Sequence, residues 1–411
     1  MWLKQHHPKQ SILCKKKKSQ VYVLLEIAPH KERERRKFNN DALRCAVQHC
    51  PKSAIEKQYV FHSWPANHRL RQRIYPIKAA VALGATADVI DLMYRQYPQA
   101  LDTKDCADIL HVALRYNATY DVVKYLVERC PRHLRHLACG KTPLHEACLN
   151  DSPSHEILNL FVEQCPDTVS IEDSYTGSRP LHYLCSQPNV PLESIKLLVE
   201  HSETTLQDKN RYWKIPLHCA CERGAHHEVV RYLTMIYPQG TLENEFSWNI
   251  PLHLACENNA SIEVIKVLLD HDPESIFKEN RNGETPIMLA KNKAAIDSCE
   301  SPSYAPTSVL TLLKSLESYL DIVRHDHKGA AVTAVDDTAL LMPILKSFCN
   351  HAWICGVFLI LDKYPSMVHQ LGFDDTMMPN ILERVWKHYK LQTMYGILKN
   401  EPYYMVLEGM P

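Results

Sequence analysis

The sequence predicts an all-α fold that is built as a linear array of short helix–turn–helix units. Three patterns predict it, because they recur in the same order along the chain: a proline-led helix start, an acid-led aliphatic stretch and a second proline. A period of 33–37 residues is typical of repeat proteins, in which each unit buries its apolar face only against its neighbours. The length of 411 residues agrees with an array, since a single packed core rarely grows beyond about 250–300 residues.

The first pattern marks where the first helix of each unit begins. Its anchor positions are Pro76, Ile109, Pro143, Pro180, Pro216, Pro251 and Pro286. Proline in the first helical turn loses no hydrogen bond, because that N–H has no partner within the helix. Thr142 and Thr285, which precede two of the anchors, can supply the N-cap oxygen. The Leu, Ala and Cys that follow lie on one face, which predicts a short amphipathic helix.

The other two patterns predict a turn, a second helix and a connection. Eight residues after an anchor stand residue types that tolerate a left-handed helix C-cap, namely Gly84, Asn117, Asp151, Gly224 and Asn259. An Asp or Glu then begins an aliphatic stretch, as at Glu228 and Glu263, where an acid suits the helix dipole. A trailing proline, such as Pro98 or Pro238, is expected to stop this second helix and to start an extended connection of about a dozen residues.

The period and the Thr142-Pro-Leu-His145 signature resemble the ankyrin repeat. The resemblance covers residues 76–296 well and residues 329–411 loosely. It implies an α-solenoid of about nine to ten stacked helix pairs with short β-hairpin fingers at one edge. The hairpin glycine three residues before the anchor is present at Gly140, Gly177 and Gly283. Trp213 and Trp248 replace it in two adjacent fingers, which leaves the turn type of those fingers open.

Four segments are expected. They are a basic, flexible head at 1–40, the repeat array at 41–296, an insertion with a helix at 297–328 and two divergent capping repeats at 329–411. The first unit of the array is degenerate, with a second helix predicted over 38–50. The two capping repeats are anchored at Pro343 and Pro379 if the spacing of the trailing prolines continues.

Catalytic and cofactor sites are not predicted. Only 11 glycines occur in the chain, and they do not form the clusters that phosphate-binding loops need. No nucleophile or zinc-protease motif is present, so we expect a protein that is not an enzyme and needs no cofactor. The histidines and cysteines that recur at one register would lie along a ladder rather than converge on a metal, and we expect them to be buried structural residues. They are His111, His145, His182, His218, His253, Cys148, Cys185, Cys221 and Cys256.

The resemblance places partner binding on the hairpin fingers and on the concave face. Carried onto this chain, the candidate partner-binding residues are Tyr175, Arg211, Tyr212, Trp213, Lys214, Phe246, Trp248 and Asn249. Trp, Tyr and Arg are over-represented among the residues that dominate interface energies. The competing interpretation, to which the sequence gives equal weight, is that each tryptophan packs on its neighbour's turn and only stiffens the edge.

The function that we expect is a non-catalytic scaffold that binds a protein partner. The alternative is a nuclear regulator or nucleic-acid-associated adaptor acting through the head, because residues 1–75 hold 17 Lys and Arg against 5 Asp and Glu. Base-stacking aromatic residues are sparse there, so nucleic acid is the less favoured partner. Neither apolar stretch, 21–28 or 352–361, is long enough to cross a membrane. We expect a monomer in the cytoplasm or the nucleus, since 15 cysteines without a secretion signal indicate a reducing compartment.

Overall fold

The computed structural model describes residues 20–25, 27, 29–49, 59–61, 72–150, 152–300, 307–326, 334–364 and 367. The helices in these residues are α1 (Gln20–Leu25), α2 (Glu32–Arg35), α3 (Asn40–His49), α4 (Pro76–Leu83), α5 (Ala87–Gln96), α6 (Ile109–Arg115), α7 (Tyr120–Arg129), α8 (Pro143–Cys148), α9 (His155–Gln164), α10 (Pro180–Cys185), α11 (Leu192–His201), α12 (Pro216–Arg223), α13 (His227–Ile236), α14 (Pro251–Glu257), α15 (Ile262–Leu269), α16 (Pro286–Glu300), α17 (Thr307–Asp326), α18 (Ala334–Asn350) and α19 (Ile354–Lys363). The two strands are β1 (Tyr59–Phe61) and β2 (Gln72–Ile74), which pair antiparallel. None of the described helices is long and apolar enough to cross a membrane.

Apart from the single turn α2, the described helices form nine successive pairs, from α1 with α3 to α18 with α19. This arrangement agrees with the predicted all-α repeat fold. The chain divides into two compact units, Met1–Ser174 and Tyr175–Pro411. Within the first unit, α4 packs on α6 and α6 on α8, while α5 packs on α7 and α7 on α9. Within the second unit the first helices α10, α12, α14 and α16 stack in order, beside the second helices α11, α13, α15 and α17. Each apolar face is therefore covered by the neighbouring pairs of its own unit.

The anchors begin the first helices, as predicted. Thr142 accepts a hydrogen bond from the His145 N–H through its hydroxyl oxygen (3.4 Å), and Thr285 accepts one from the Met288 N–H (3.4 Å). The predicted left-handed turns are present at Gly84 (φ 89°), Asn117 (52°), Gly224 (71°) and Asn259 (54°). The fifth predicted turn residue, Asp151, lies outside the described residues.

The trailing prolines do not start an extended connection, and that prediction was wrong. They begin one-turn 3₁₀ helices, of which Pro98–Asp102 and Pro238–Leu242 are examples. The residue before the proline leaves the α-helical region, as Tyr237 does with φ −128° and ψ 78°, because the proline ring clashes with a helical predecessor. Proline then serves as the first residue of a new short helix, where it needs no N–H partner.

The recurring histidines fasten each first helix to the following finger. In three of them Nδ1 accepts a hydrogen bond from the N–H of the N-cap residue, at 3.2 Å for His182, 3.3 Å for His218 and 3.2 Å for His253. Their Nε2 atoms reach carbonyl oxygens of the next finger, for example Lys214 O at 3.0 Å from His182 and Glu284 O at 3.1 Å from His253. They are therefore structural residues.

Two other residues occupy the same register, two positions after the anchor. Lys78 replaces histidine in the first anchored pair, and its buried ammonium donates to the Asp105 carbonyl (2.9 Å) and pairs with Asp108 (2.6 Å). Lysine thus makes the same kind of link to the following segment as histidine does. Met288 stands at this register in the last anchored pair, and its side chain is exposed.

The recurring cysteines are buried, as predicted. Cys148, Cys185, Cys221 and Cys256 lie on the covered faces of the first helices. Burial raises the pKa of the Cys256 thiol to about 12, so it is protonated and behaves as a small apolar side chain. Over the part of the chain that the structure describes, no three His, Cys, Asp or Glu residues are placed to hold a metal ion.

The ends of the chain differ from the predictions in three places. The head was predicted to be flexible over 1–40; residues 1–19 lie outside the described residues, whereas α1 and α2 are helical and the α1 side chains Val21 and Leu25 are buried. α1 packs on α4, while α3, the predicted second helix of the degenerate unit, packs on α5. α16 continues to Glu300, past the predicted start of the insertion at 297, although α17 matches the helix predicted within it.

The third difference concerns Pro343, which was predicted to begin a helix. It lies inside α18, so it is not an anchor. Proline spacing alone predicted it, without the Leu-His sequence that follows Pro143, Pro180, Pro216 and Pro251. The second predicted anchor, Pro379, lies outside the described residues.

Candidate functional site

Three fingers of the second unit share one turn, built from the five residues that end two positions before the anchor. In the finger at 210–214, the Asn210 N–H donates to the Lys214 carbonyl (3.0 Å) and the Trp213 N–H donates to the Asn210 carbonyl (2.8 Å). The Asn210 side chain is buried, and its Oδ1 accepts from the N–H groups of Tyr212 (2.9 Å) and Lys214 (3.1 Å). An Asn or Asp that bonds its own backbone two residues on is a strong turn former.

The next two fingers, at 245–249 and 280–284, repeat this hydrogen-bond pattern. Glu245 takes the role of Asn210, and its buried carboxylate accepts from the Ser247 N–H (2.9 Å) and from the side-chain amide of Asn249 (2.9 Å). Asn280 caps the following finger and also donates to Asn249 Oδ1 (3.0 Å). The side chain of Asn249, a predicted binding residue, is therefore half-buried and engaged inside the finger array.

The turn requires a left-handed residue at its fourth position. That residue is Gly283 in the third of these fingers, with φ 73°, but it is Trp213 and Trp248 in the first two, each with φ 63°. The left-handed conformation brings Cβ close to the following carbonyl oxygen and costs a residue other than glycine about 1–2 kcal/mol. The two tryptophans therefore adopt the glycine conformation rather than a different turn, which answers the question of turn type that the sequence left open.

Backbone hydrogen bonds tie the adjacent fingers of the second unit together. The Arg211 N–H donates to the Thr176 carbonyl (2.8 Å), the Phe246 N–H to the Tyr212 carbonyl (3.1 Å), and the Arg281 N–H to the Ser247 carbonyl (2.9 Å). The Arg211 guanidinium also reaches back to the Tyr175 carbonyl (2.9 Å). These bonds hold successive fingers at a fixed spacing, so their side chains form one surface.

Six of the eight predicted site residues are exposed on that surface. We call them the finger patch: Tyr175, Arg211, Tyr212, Trp213, Phe246 and Trp248. Each of the five aromatic side chains in the patch is more than half exposed, from 54% for Trp248 to 67% for Tyr175. The other two predicted residues, Lys214 and Asn249, are half-buried, and Lys214 pairs with Glu222 of its own repeat at 2.7 Å.

Part of the finger patch lines a groove of about 480 Å³. Its apolar walls are the side chains of Trp213, Phe246 and Trp248, together with the exposed Leu242. Clefts of about 300–1,000 Å³ with mostly apolar walls are typical binding sites. We call this cleft the aromatic groove.

Two cationic side chains lie against the rings of the aromatic groove. Lys209 Nζ is 5.5 Å from the centroid of the Trp213 ring and 2.7 Å from the carboxylate of Glu243. Its hydrogen bond holds the pKa of Glu243 below the usual range. The Arg281 guanidinium lies 4.6 Å from the Phe246 ring centroid and 5.6 Å from that of Trp248. Cation–π contacts of this kind contribute about 0.5–1 kcal/mol at exposed sites.

The sequence predictions missed Lys209 and Leu242 as residues of this site. Arg281 stands at a finger position, five residues before its anchor proline as Arg211 does, but it was not among the eight candidates. Lys209 and Leu242 had no such signal, since they lie outside the hairpin positions from which the candidates were taken and reach the groove only through the fold.

Comparison with known proteins gives the family of these repeats. Residues 151–244 match the family model described as ankyrin repeats (3 copies), and residues 248–280 match the model of the ankyrin repeat. No curated protein matches the chain. The ankyrin repeat is in general a protein–protein interaction module, and proteins built from it are typically scaffolds rather than enzymes. Residues 151–244 and 248–280 of this chain are therefore ankyrin repeats, and Trp213 and Trp248 of the aromatic groove lie within them.

Proposed function

We propose that this chain is a non-catalytic scaffold that captures a protein partner on the finger patch and the adjoining concave face. The proposal rests on where exposed aromatic area is found. A contiguous exposed apolar surface on a protein is most often an interaction site, and aromatic anchors dominate the energy of such interfaces. The patch is also preorganised by the bonds between fingers, which lowers the entropy cost of binding.

The observation that carries the proposal is the left-handed conformation of Trp213 and Trp248. Glycine, which stands at Gly177 and Gly283, would meet the needs of the turn without strain. Strained residues persist where the surroundings hold them, and they cluster at functional sites. The competing interpretation, in which the tryptophans only stiffen the edge, predicts buried rings. Both rings are more than half exposed, with 58% and 54% accessible.

The test replaces both tryptophans with glycine in the full chain. Glycine removes the strain of about 1–2 kcal/mol per residue, and this gain is offset by the lost cation–π contacts and by the larger backbone entropy of the unfolded chain. We expect the free energy of unfolding to stay within about 1 kcal/mol of the wild type, while partner capture weakens by more than about 2 kcal/mol. Pull-down with identification by mass spectrometry, followed by a titration with the captured protein, measures the second quantity.

A second variant, Trp213→Ala with Trp248→Ala, serves as the matched comparison. Alanine removes the rings but keeps the strained backbone, so it is expected to bind as weakly as the glycine variant while being less stable. Partner capture that is unchanged in both variants would refute the proposed site. A glycine variant that loses several kcal/mol of stability would instead establish that the rings hold the fingers together.

We also propose a location in the cytoplasm or the nucleus. The support is that the twelve cysteines whose side chains the structure describes are free thiols, as is usual in reducing compartments. Imaging of the tagged full chain in its own cells tests this, and a signal from the secretory pathway would contradict it.

A further inference from the structure

We infer that the aromatic groove binds an acidic peptide segment which inserts one bulky apolar side chain between Trp213, Phe246 and Trp248. This inference rests on the proposed function and specifies the chemistry of the partner. It is carried by two features of the groove together: an open volume of about 480 Å³ with three aromatic rings on its walls, and cationic side chains that lie against those rings.

The apolar volume calls for a large side chain of the partner. Leu242 is 43% exposed, and the three rings around the groove are each more than half exposed. Burying a side chain the size of leucine or phenylalanine is worth about 1.5–3 kcal/mol, which gives the groove an apolar anchor point.

Four charged side chains line the groove, the cations of Lys209 and Arg281 and the acids Glu243 and Glu245. Arg281 lies over the Phe246 and Trp248 rings, and it forms no ion pair with any residue that the structure describes. Lys209, the other cation, forms an ion pair with Glu243. The carboxylate of Glu245, the other acid at the groove, is turned inward and accepts three hydrogen bonds from Ser247 and Asn249. A partner that brings carboxylates would therefore gain ion pairs that the groove itself does not supply.

Arg281 is also prepared for such a partner. Its guanidinium is held above two rings, so less side-chain entropy is lost when a carboxylate pairs with it. A planar guanidinium can bind a carboxylate through two parallel hydrogen bonds. The outcome is an exposed cation that stacks on two rings and has no acidic partner among the described residues.

The rest of the chain would favour this position over others. Beyond residue 75 the chain holds 30 Lys and Arg against 42 Asp and Glu, so most of that surface repels an acidic segment. Charge complementarity confined to one groove steers the partner to that groove and sets its register. A nucleic acid carries a charge at every nucleotide and needs a continuous row of cations, whereas this groove offers only two beside an acidic body.

The experiment selects binding peptides without assuming their sequence. Phage-displayed random dodecapeptides are selected on the full chain and counter-selected on the variant with Trp213→Gly and Trp248→Gly. We expect the groove-dependent peptides to carry Asp or Glu beside Trp, Phe or Leu. A synthetic copy of one such peptide, titrated by fluorescence anisotropy, should bind about tenfold more weakly to Arg281→Ala. Replacing its acids with Gln or Asn should cost a similar factor.

The matched control is Arg231→Ala, which removes an exposed arginine from α13 of the neighbouring repeat and should change the affinity less than twofold. Arg281→Lys keeps the charge and should recover part of the lost affinity. Groove-dependent peptides that are neutral, basic or proline-rich without acids would overturn the inference, as would tighter binding of oligothymidylate to the same groove. Those results leave the proposed function standing, provided that the captured protein still requires the two tryptophans. A partner that ignores both tryptophans refutes the proposed function and this inference together.

Discussion

The imidazole of His218 joins three parts of its repeat. Its Nδ1 accepts from the Ile215 N–H (3.3 Å), so its proton lies on Nε2, which points at the carbonyl oxygens of Glu243 (3.0 Å) and Asn249 (3.2 Å). The ring is fully buried. The ring thus links the start of α12 to the chain just before the next finger and to the last residue of that finger, which carries Trp248.

Replacing His218 with leucine should destabilise the protein by about 2–3 kcal/mol. Leucine fills the space but leaves a buried N–H and two carbonyl oxygens without their partner, and each unsatisfied buried group costs about 1–3 kcal/mol. Urea unfolding followed by circular dichroism measures the loss. His226→Leu is the control, because this histidine of the same repeat is exposed and its replacement should cost less than about 0.5 kcal/mol. Equal losses in the two variants would contradict the structural role.

The buried histidines also predict how stability depends on pH. Burial, with smaller contributions from nearby Lys214 and Lys209, lowers the pKa of His218 to about 4. Burial lowers the pKa of His111 and His253 in the same direction. In the unfolded chain these imidazoles titrate near pH 6.5, so below that pH the unfolded state binds protons that the folded state does not. Stability should therefore fall as the pH decreases from about 6.5 to about 4.

Unfolding free energies measured across this pH range test the prediction, with His218→Gln as the comparison. Each such histidine contributes up to about 1.4 kcal/mol per pH unit. The variant should therefore show a shallower slope, whatever its stability at pH 7. A slope that His218→Gln leaves unchanged would show that other groups cause the acid sensitivity.

At the scale of elements, Trp353 makes one of the contacts that attach the last described helix pair to the array, beside the packing of α17 on α18. Its ring is buried against Phe348, with centroids 4.8 Å apart, and its Nε1 donates to Asp270 Oδ1 (2.8 Å) just after α15. Gly356, in the first turn of α19, lies directly against this ring. Trp353, which helps to attach α18 and α19, thus has no equivalent in the repeat pattern.

Gly356→Ala should loosen α18 and α19, because the added Cβ would overlap the Trp353 ring. Overpacking of this kind costs about 1–3 kcal/mol. Hydrogen exchange of the α18 and α19 amides should accelerate more than exchange in α12 and α13. Gly224→Ala is the control, since a Cβ there meets no atom within 4 Å and only the left-handed φ of 71° is strained. Faster exchange throughout the second unit in both variants would contradict this local role.

The elements also show how far the sequence could predict this structure. Helix starts and left-handed turns were predictable at Pro216 and Gly224, because one residue type meets a local backbone requirement there. Pro343 misled, since it was predicted from proline spacing alone and lies inside α18. The exposed rings of the finger patch were predictable as candidates. The cations of Lys209 and Arg281 over those rings were not, because their positions depend on how neighbouring fingers are held together.

For the whole molecule, the uneven charge raises the question of whether the basic head contributes to partner binding. Residues 1–75 carry an excess of 12 basic side chains over acidic ones, and Lys15–Lys18 form its densest run. We expect the variant in which these four lysines are glutamine to capture the protein partner with unchanged affinity, since the finger patch carries the proposed site.

Any binding of the full chain to double-stranded DNA should fall steeply between about 50 and 200 mM salt, and the same variant should abolish it. The variant with Trp213→Gly and Trp248→Gly is the reciprocal control, because it should lose the partner and keep the salt-dependent DNA binding. Partner capture that requires the lysines, or that falls with salt as steeply as the DNA binding does, would assign the function to the head and favour the nucleic-acid-associated alternative.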